Sequence, residues 1–413
     1  MSNLLGQYAE VAGKDVVDHL RQLAAPLSGM RVVHVNSTRV GGGVAEILAK
    51  LIPLKRELGI DARWEVIDGN PQFFRTTKSF HNALQGDPAD ISEDSLREYE
   101  RVNAANAESL RDELRSADMV FIHDPQPAPL LAHTQERCGK WIWRCHIDVS
   151  KPHRPVWDYL SEFLAGYDAS VFSMAEFAQH LPHTQYLIPP SIDPLSDKNV
   201  PLDESEIASV LETYGLDPTR SLIAQVSRYD RFKDPVGVLK AYRLAKRFTP
   251  GLQLVLAGGG ADDDPEAEAV IEETREAAGG DPDVHILLLP PDAHRTINAL
   301  QRAADVVLQK SIREGFGLTV SEAMWKGKPV IGGDTGGIRL QVVDSHTGFL
   351  VSTPEGAALR IRYLLHHTDS MAEMGRKAKE FVRENFLLTR HLLEYLTVMV
   401  SLANRFEDRI ELG

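Results

Sequence analysis

The stretch Asp305-Val306-Val307-Leu308-Gln309-Lys310-Ser311-Ile312-Arg313-Glu314-Gly315-Phe316-Gly317-Leu318-Thr319-Val320-Ser321-Glu322-Ala323-Met324 decides how this chain is read. Its start is a short apolar run of the kind that forms a buried strand, and the residues from Leu318 onward have helical spacing. Two glycines and several polar side chains therefore fall where a strand ends and a helix begins. Ligands bind at such ends of open parallel sheets, because backbone N–H groups point outward and the helix dipole favours an anion. Gly315, Phe316, Gly317, Leu318 and Thr319 are the candidate donors. Glu314 and Glu322 flank them, one expected on the loop and the other near two turns into the helix. Carboxylates repel phosphate but accept hydrogen bonds from sugar hydroxyls, so the stretch reads as a site for a sugar joined to a phosphate. The bare spacing also fits a solvated helix start with capping glutamates.

The remainder of the chain bears on that choice. Its 413 residues exceed what one hydrophobic core usually organises, so two domains are expected. The composition, 43% hydrophobic and 25% charged, is that of an ordinary globular protein. A net charge of -14 argues against a general binder of nucleic acid or anionic membrane, and any phosphate site must be made positive locally. The first residues lack the basic and apolar regions of a signal peptide and no later run is long enough to span a membrane, which predicts a cytoplasmic protein. Cys138 and Cys145, in neither metal nor redox spacing, read as reduced core thiols.

Strand-like runs are expected at 30–36, 62–67, 118–122, 140–145, 169–172 and 185–188, after an amphipathic helical lead-in over 1–29. A proline-rich stretch, 189–201, reads as an interdomain linker, since proline removes donors and fixes the backbone. Six more runs follow at 221–227, 252–256, 284–289, 305–309, 329–331 and 348–351, and the tail over 386–412 is helical with one apolar face. The expected architecture is α/β: two Rossmann-like, doubly wound domains facing one cleft. A polar excursion over 68–116, whose second part reads as an exposed helix, is either an acceptor-side wall or a surface subdomain.

Several other strand ends carry chemistry. Ser37 to Gly43 follows the first run, and its glycines let backbone approach a ligand. Arg228 and Lys233 follow the first run of the second half; two cations at a sheet edge can neutralise a diphosphate leaving group without a metal. The alternative is a surface salt-bridge cluster with Asp230 and Asp234. Lys310 adds positive charge nearby. Gly258 to Gly260 end another run, followed by a solvated acidic turn, and Asp334 to Ile338 form a glycine turn suited to packing. His123 and His146 close adjacent runs of the first half, where an imidazole can bond a sugar hydroxyl or a departing phosphate, His123 being the stronger candidate. Asp148, Lys151 and Arg154 are acceptor-side candidates. The histidines show no metal-ligand spacing.

The glutamate pair resembles the E-x7-E motif of retaining nucleotide-sugar glycosyltransferases of the GT-B fold, family 4, and Arg228 with Lys233 matches their S-R-x-x-x-x-K pattern. Longer strings, Val33-His34-Val35-Asn36-Ser37-Thr38, His123-Asp124-Pro125-Gln126-Pro127 and Trp143-Arg144-Cys145-His146-Ile147-Asp148, are similar to the trehalose glycosyltransferring synthases of that family. The resemblance implies a first, acceptor-side domain over 1–193 with 386–413 crossing back to it, and a nucleotide-sugar-binding domain over 194–385. It implies a retaining glucosyltransferase that joins glucose from a nucleoside diphosphate glucose (ADP-, UDP- or GDP-glucose) to free glucose, reversibly, to give α,α-trehalose. No cofactor is required on this reading, and Mg²⁺ is at most a non-essential aid. The partners are these small molecules, not nucleic acid or membrane; a homodimer is compatible with the sequence.

By the same resemblance Glu314 holds hydroxyls of the transferred glucose and Glu322 the ribose diol. Arg228 and Lys233 stabilise the diphosphate, and the Gly42–Gly43 backbone and the segment from Gly315 to Thr319 complete the donor site. His123 orients the transferred sugar, while His146, Asp148 and Asn36 face the acceptor. Base recognition is implied near Leu288 to Pro290. Three rivals are a trehalose phosphorylase, whose chains are longer, a sucrose-synthase-like transferase that accepts fructose, and a two-lobed sugar-binding protein without turnover.

Overall fold

The computed structural model describes residues 3–39, 43–259 and 265–404. Gly41 and Gly42, most of the acidic turn after Gly259 and the last part of the expected tail helix lie outside the described residues. The chain forms two compact units. One runs to Pro189 and takes in the helix Leu388–Ala403; the other runs from Pro190 to Leu387.

The first unit is a six-stranded parallel sheet of β1 (Arg31–Asn36), β2 (Asp61–Val66), β3 (Met119–His123), β4 (Lys140–Arg144), β5 (Ala169–Phe172) and β6 (Thr184–Leu187), in the order β2-β1-β3-β4-β5-β6. The second sheet is also six-stranded and parallel: β7 (Leu222–Val226), β8 (Gln253–Gly258), β9 (Val284–Leu288), β10 (Val306–Gln309), β11 (Val330–Gly333) and β12 (Gly348–Val351), in the order β12-β11-β10-β7-β8-β9. Each expected strand is present. The inner strands are near-continuous apolar runs because they are buried on both faces, as in β3, where all five residues are buried; the edge strands β2 and β6 are more exposed and carry polar residues.

These orders create one reversal in each sheet. In the first, the chain moves outward from β1 to β2 and then crosses to β3 on the other side; in the second, β8 and β9 lie on one side of β7 and β10 on the other. A crevice opens at the carboxyl ends of strands where the winding reverses. The candidate residues after β1 and β3, and those after β7 and β10, therefore occupy the two switch points.

Three expectations need correction. The proline-rich stretch is not a free tether along its length: Ile192 N donates to Phe386 O at 2.8 Å, and Asn298 Nδ2 donates to the carbonyls of Asp197 and Val200, both at 2.9 Å, so it is fastened to the second unit. The 68–116 excursion holds a helix, Pro71–Leu84, that was not anticipated, and its second helix, Glu93–Ser109, is not simply exposed. Tyr99, Val102, Asn103 and Asn106 point inward, and Tyr99 packs among Phe73, Phe80 and Tyr159. Finally, Cys145 is buried but Cys138 is at the surface. The helix Leu388–Ala403 packs on the helix Lys14–Ala24 of the first unit, as the fold class implies, and no helix among the described residues is long and apolar enough to cross a membrane.

Candidate active site

In the second unit the loops after β7 and β10 are joined by side chains that the sheet itself supplies. Gln225, on β7, donates from Nε2 to Lys233 O at 2.9 Å and accepts from Lys310 N at 3.1 Å, so one buried amide sets the spacing of both loops. Ile312 N donates to Phe232 O at 2.7 Å and closes the seam. The two aspartates of the first loop act as caps: Asp230 Oδ1 accepts from Lys233 N, and Asp234 Oδ1 from Gly237 N at the start of the helix Pro235–Lys246. Asp234 also pairs with Lys310 Nζ. The salt-bridge alternative is thus true of part of this cluster.

It does not hold for Lys233. Its Nζ lies 2.7 Å from Glu314 Oε2, and both side chains are largely buried. Ser311 Oγ (3.0 Å) and Gln309 Nε2 (3.3 Å) donate to that same oxygen. Three donors on Oε2 fix the carboxylate, while none of the described residues donates to Oε1. The backbone N–H groups of Gly315, Phe316, Gly317, Leu318 and Thr319 likewise find no acceptor among the described residues. They run into the N-terminus of the helix Leu318–Trp325, where the dipole adds positive potential. One carboxylate oxygen, an ammonium and a row of open donors therefore share one short loop, which suits a hydroxylated group attached to an anion.

Two glycines make the loop possible. Gly317 has φ 80°, and a Cβ there would come within 3.1 Å of Glu314 Cγ. Gly336, φ 46°, lies so close beneath the loop that a Cβ would fall 1.7 Å from Glu314 O. The expected packing role of the Asp334 to Ile338 turn is thereby explained. Gly336→Ala is expected to lower stability by about 3 kcal/mol, through overpacking plus the left-handed backbone; denaturant midpoints measure it.

Arg228 and Glu322 are less tightly integrated. Arg228 is 74% exposed and, among the described residues, reaches the cluster only through Asp230, at 3.3 Å. Glu322 lies at the start of the second helical turn, closer to the N-terminus than expected, and its side chain is buried. Beside it Lys326, pulled down to about 7 by burial, donates to Glu322 O and Asn199 Oδ1.

In the first unit the candidate residues are placed differently from expectation. His123 does not point out of the sheet edge: it is buried and both ring nitrogens are engaged, Nε2 with His34 Nδ1 and Nδ1 with His146 Nε2, each at 3.0 Å. Burial, reinforced by Arg144 and Lys55, holds it down at about 3. His146 is only partly buried. Its backbone N donates to Asp124 Oδ1, whose carboxyl is raised to about 6 by burial. Asn36 is occupied as a brace, with Nδ2 donating to Thr38 O and Oδ1 accepting from Trp64 Nε1. Asp148 Oδ1 accepts from Ser150 N. Lys151 and Arg154 are exposed. Gly43 opens the helix Gly43–Glu57, while Gly42 is outside the described residues.

Comparison with known proteins settles the family. The model described as "Trehalose synthase, N-terminal domain" matches residues 34–179, and that described as "Glycosyl transferases group 1" matches residues 210–381. A trehalose synthase of Pyrococcus horikoshii is 48% identical over 96% of this chain and 96% of its own. The chain belongs to the trehalose synthase family. Another trehalose synthase, from Rubrobacter xylanophilus, is 43% identical over 96% of this chain and 97% of its own. The fold is that of the GT-B glycosyltransferases: a sucrose-phosphate synthase from Thermosynechococcus elongatus superposes with a TM-score of 0.70 at 18% identity, covering 91% of this chain and 100% of the other. This trehalose synthase family member is thus a glycosyltransferase whose chemistry is trehalose-related.

Some contributors to the site in this family member were not visible beforehand. Gln225, Gln309 and Gln341 are glutamines in or beside apolar runs, with nothing in sequence to mark them. Gln341 accepts from Ser321 N and Oγ and donates to Phe316 O, so it holds the loop to its helix. Lys55 did leave a signal: it stands at helical spacing from Leu48, Leu51 and Ile52, on the apolar face of its helix.

Proposed function

We propose that this protein transfers the glucosyl group of a nucleoside diphosphate glucose to free glucose, with retention and reversibly, to form α,α-trehalose. The observation that carries this reading is the Lys233–Glu314 pair beside the open N–H row of Gly315 to Thr319, at the β7/β10 switch point. Glu314 Oε1 is assigned to hydroxyls of the transferred glucose. Lys233, which has protons to spare beyond the one given to Glu314, and Arg228, which can swing in from solvent, are assigned to the diphosphate. Glu322 is assigned to the ribose diol.

On this assignment the protein's own cations neutralise the leaving group, so that a metal is dispensable and Mg²⁺ at most assists. With no side chain assigned as nucleophile, the acceptor hydroxyl attacks on the face the diphosphate leaves, and a phosphate oxygen takes its proton. His146 and Asp148 are assigned to acceptor hydroxyls, and Asn36 to bracing the turn after β1.

Release of nucleoside diphosphate tests the reading when ADP-, UDP- and GDP-glucose are each offered with glucose or fructose. Release with at least one donor and glucose is expected. Release with fructose alone would favour a sucrose-forming transferase, and trehalose breakdown that needs inorganic phosphate and no nucleotide would favour a phosphorylase.

A further inference from the structure

Four ionisable side chains in the first unit form one continuous row. Lys55 Nζ lies 2.8 Å from His34 Nε2, His34 Nδ1 lies 3.0 Å from His123 Nε2, and His123 Nδ1 lies 3.0 Å from His146 Nε2. The imidazoles are stacked, with 5.3 Å between ring centroids at each step. Lys55, His34 and His123 are buried, and burial holds all three imidazoles below the usual histidine range. Each ring is therefore neutral at ordinary pH and carries a single N–H.

Counting those protons fixes the direction of the row. An ammonium can only donate, and a neutral imidazole that accepts at one nitrogen must donate from the other. Lys55 donates to His34 Nε2, so the proton of His34 sits on Nδ1 and is given to His123 Nε2. The proton of His123 then sits on Nδ1 and is given to His146 Nε2. His146 is left with its proton on Nδ1, an atom with no partner among the described residues and not sealed from solvent.

We propose that Lys55 sets the polarity of this row, so that His146 Nδ1–H is presented at the C-terminal edge of the first sheet as a fixed hydrogen-bond donor to an oxygen of the sugar substrate. The substrate half of this statement rests on the transferase reading above. His146 is the residue in contact; Lys55, His34 and His123 are positioning residues that act through it.

The surroundings of Lys55 fit the role. It makes no ion pair with a described carboxylate, and its ammonium lies over two ring faces, Phe121 at 5.0 Å and Tyr395 at 5.1 Å. Burial pulls Lys55 down to about 7, while the ring faces favour the charged form. The other groups facing the row are Arg144, Asp124, His391, Arg390, Glu394 and Tyr395. A neutral Lys55 amine can also accept, and the row can then reverse: each ring moves its proton to Nε2 and His146 Nδ1 becomes an acceptor. The sign follows. The donor polarity is fixed while Lys55 is protonated, below its own midpoint, and loosens as pH rises through it.

Long-range ¹H–¹⁵N correlation spectra of the full chain labelled at histidine report each tautomer directly. Wild type at pH 6 is expected to show Nδ1–H at His34, His123 and His146. Lys55→Met removes the terminal donor and should move a large fraction of His146 to Nε2–H. Lys55→Gln, which keeps an N–H donor, should hold the wild-type pattern. Lys55 pairs with no described carboxylate, so methionine removes a buried charge without leaving a counter-charge unpaired, and its apolar stem keeps the contact with Phe121 and Tyr395. Should the methionine variant not fold, the wild type titrated from pH 6 to 9 carries the same prediction of a mixed His146 signal.

His146 at Nε2–H in wild type, or unmoved in both the variant and the titration, overturns the proposal. KM for glucose is expected to rise roughly tenfold in Lys55→Met and not in Lys55→Gln, the loss of about one hydrogen bond; a switched tautomer with unchanged KM overturns the substrate contact. A wild type that transfers to no sugar refutes the transferase reading instead, and leaves the tautomer result standing.

Discussion

Lys233→Met is expected to lower turnover about 10²–10³-fold, the usual cost of removing one preorganised group that meets charge developing in the transition state. When the glycosidic bond breaks, the diphosphate gains negative charge inside a loop where the available compensation is an ammonium, an exposed guanidinium and backbone N–H groups. Lys233 is the fixed member of that set, held through Glu314 and through the hydrogen bond of its own carbonyl with Gln225. Arg228, 74% exposed, has to be ordered first and is the weaker substitute. Methionine keeps the apolar stem, and Glu314 keeps its donors from Ser311 and Gln309, so folding survives; circular dichroism melts check this alongside kcat. Near-normal turnover in a folded variant would remove Lys233 from the reaction.

Glu314→Gln should produce a loss of similar size by a different route. The glutamine oxygen can turn toward Lys233, Ser311 and Gln309, which places its NH₂ where Oε1 stood. A site that accepted hydrogen bonds from the transferred sugar then donates instead, and hydroxyl and amide compete for orientation. Both kcat and the KM for the nucleotide sugar are expected to worsen, together about 10²-fold or more in kcat/KM. Because the two side chains share one ion pair at 2.7 Å, the double variant should fall well short of the product of the single losses. Losses that multiply would mean that the residues act independently.

Most of the twelve strands were legible because parallel strands buried on both faces are written as unbroken apolar runs, while the partly exposed edge strands Asp61–Val66 and Thr184–Leu187 are more polar. Two of them, Ala169–Phe172 and Gly348–Val351, have the bounds the sequence implied. The excursion between β2 and β3 was harder for the opposite reason. The inward stripe of its second helix includes Asn103 and Asn106, polar by composition but buried and bonded to the carbonyls of Tyr99 and Val102, among others. In the site, single residues were legible and their pairings were not. Glu314 and Lys233 are 81 positions apart, and only strand order brings β7 beside β10. His123 shows what spacing does not reveal: a polar residue at a strand's C-terminal edge suits ligand contact, yet its side chain is buried and both its ring nitrogens bond to other histidines.

The measurement that bears most directly on the central claim is an NMR analysis of the product formed from ¹³C-labelled glucose and an unlabelled nucleoside diphosphate glucose. A non-reducing disaccharide with both anomeric centres α is expected, with label in one ring only and one nucleoside diphosphate released per linkage. A reducing product, a β anomeric centre from the donor, or no disaccharide with any nucleotide sugar would contradict it.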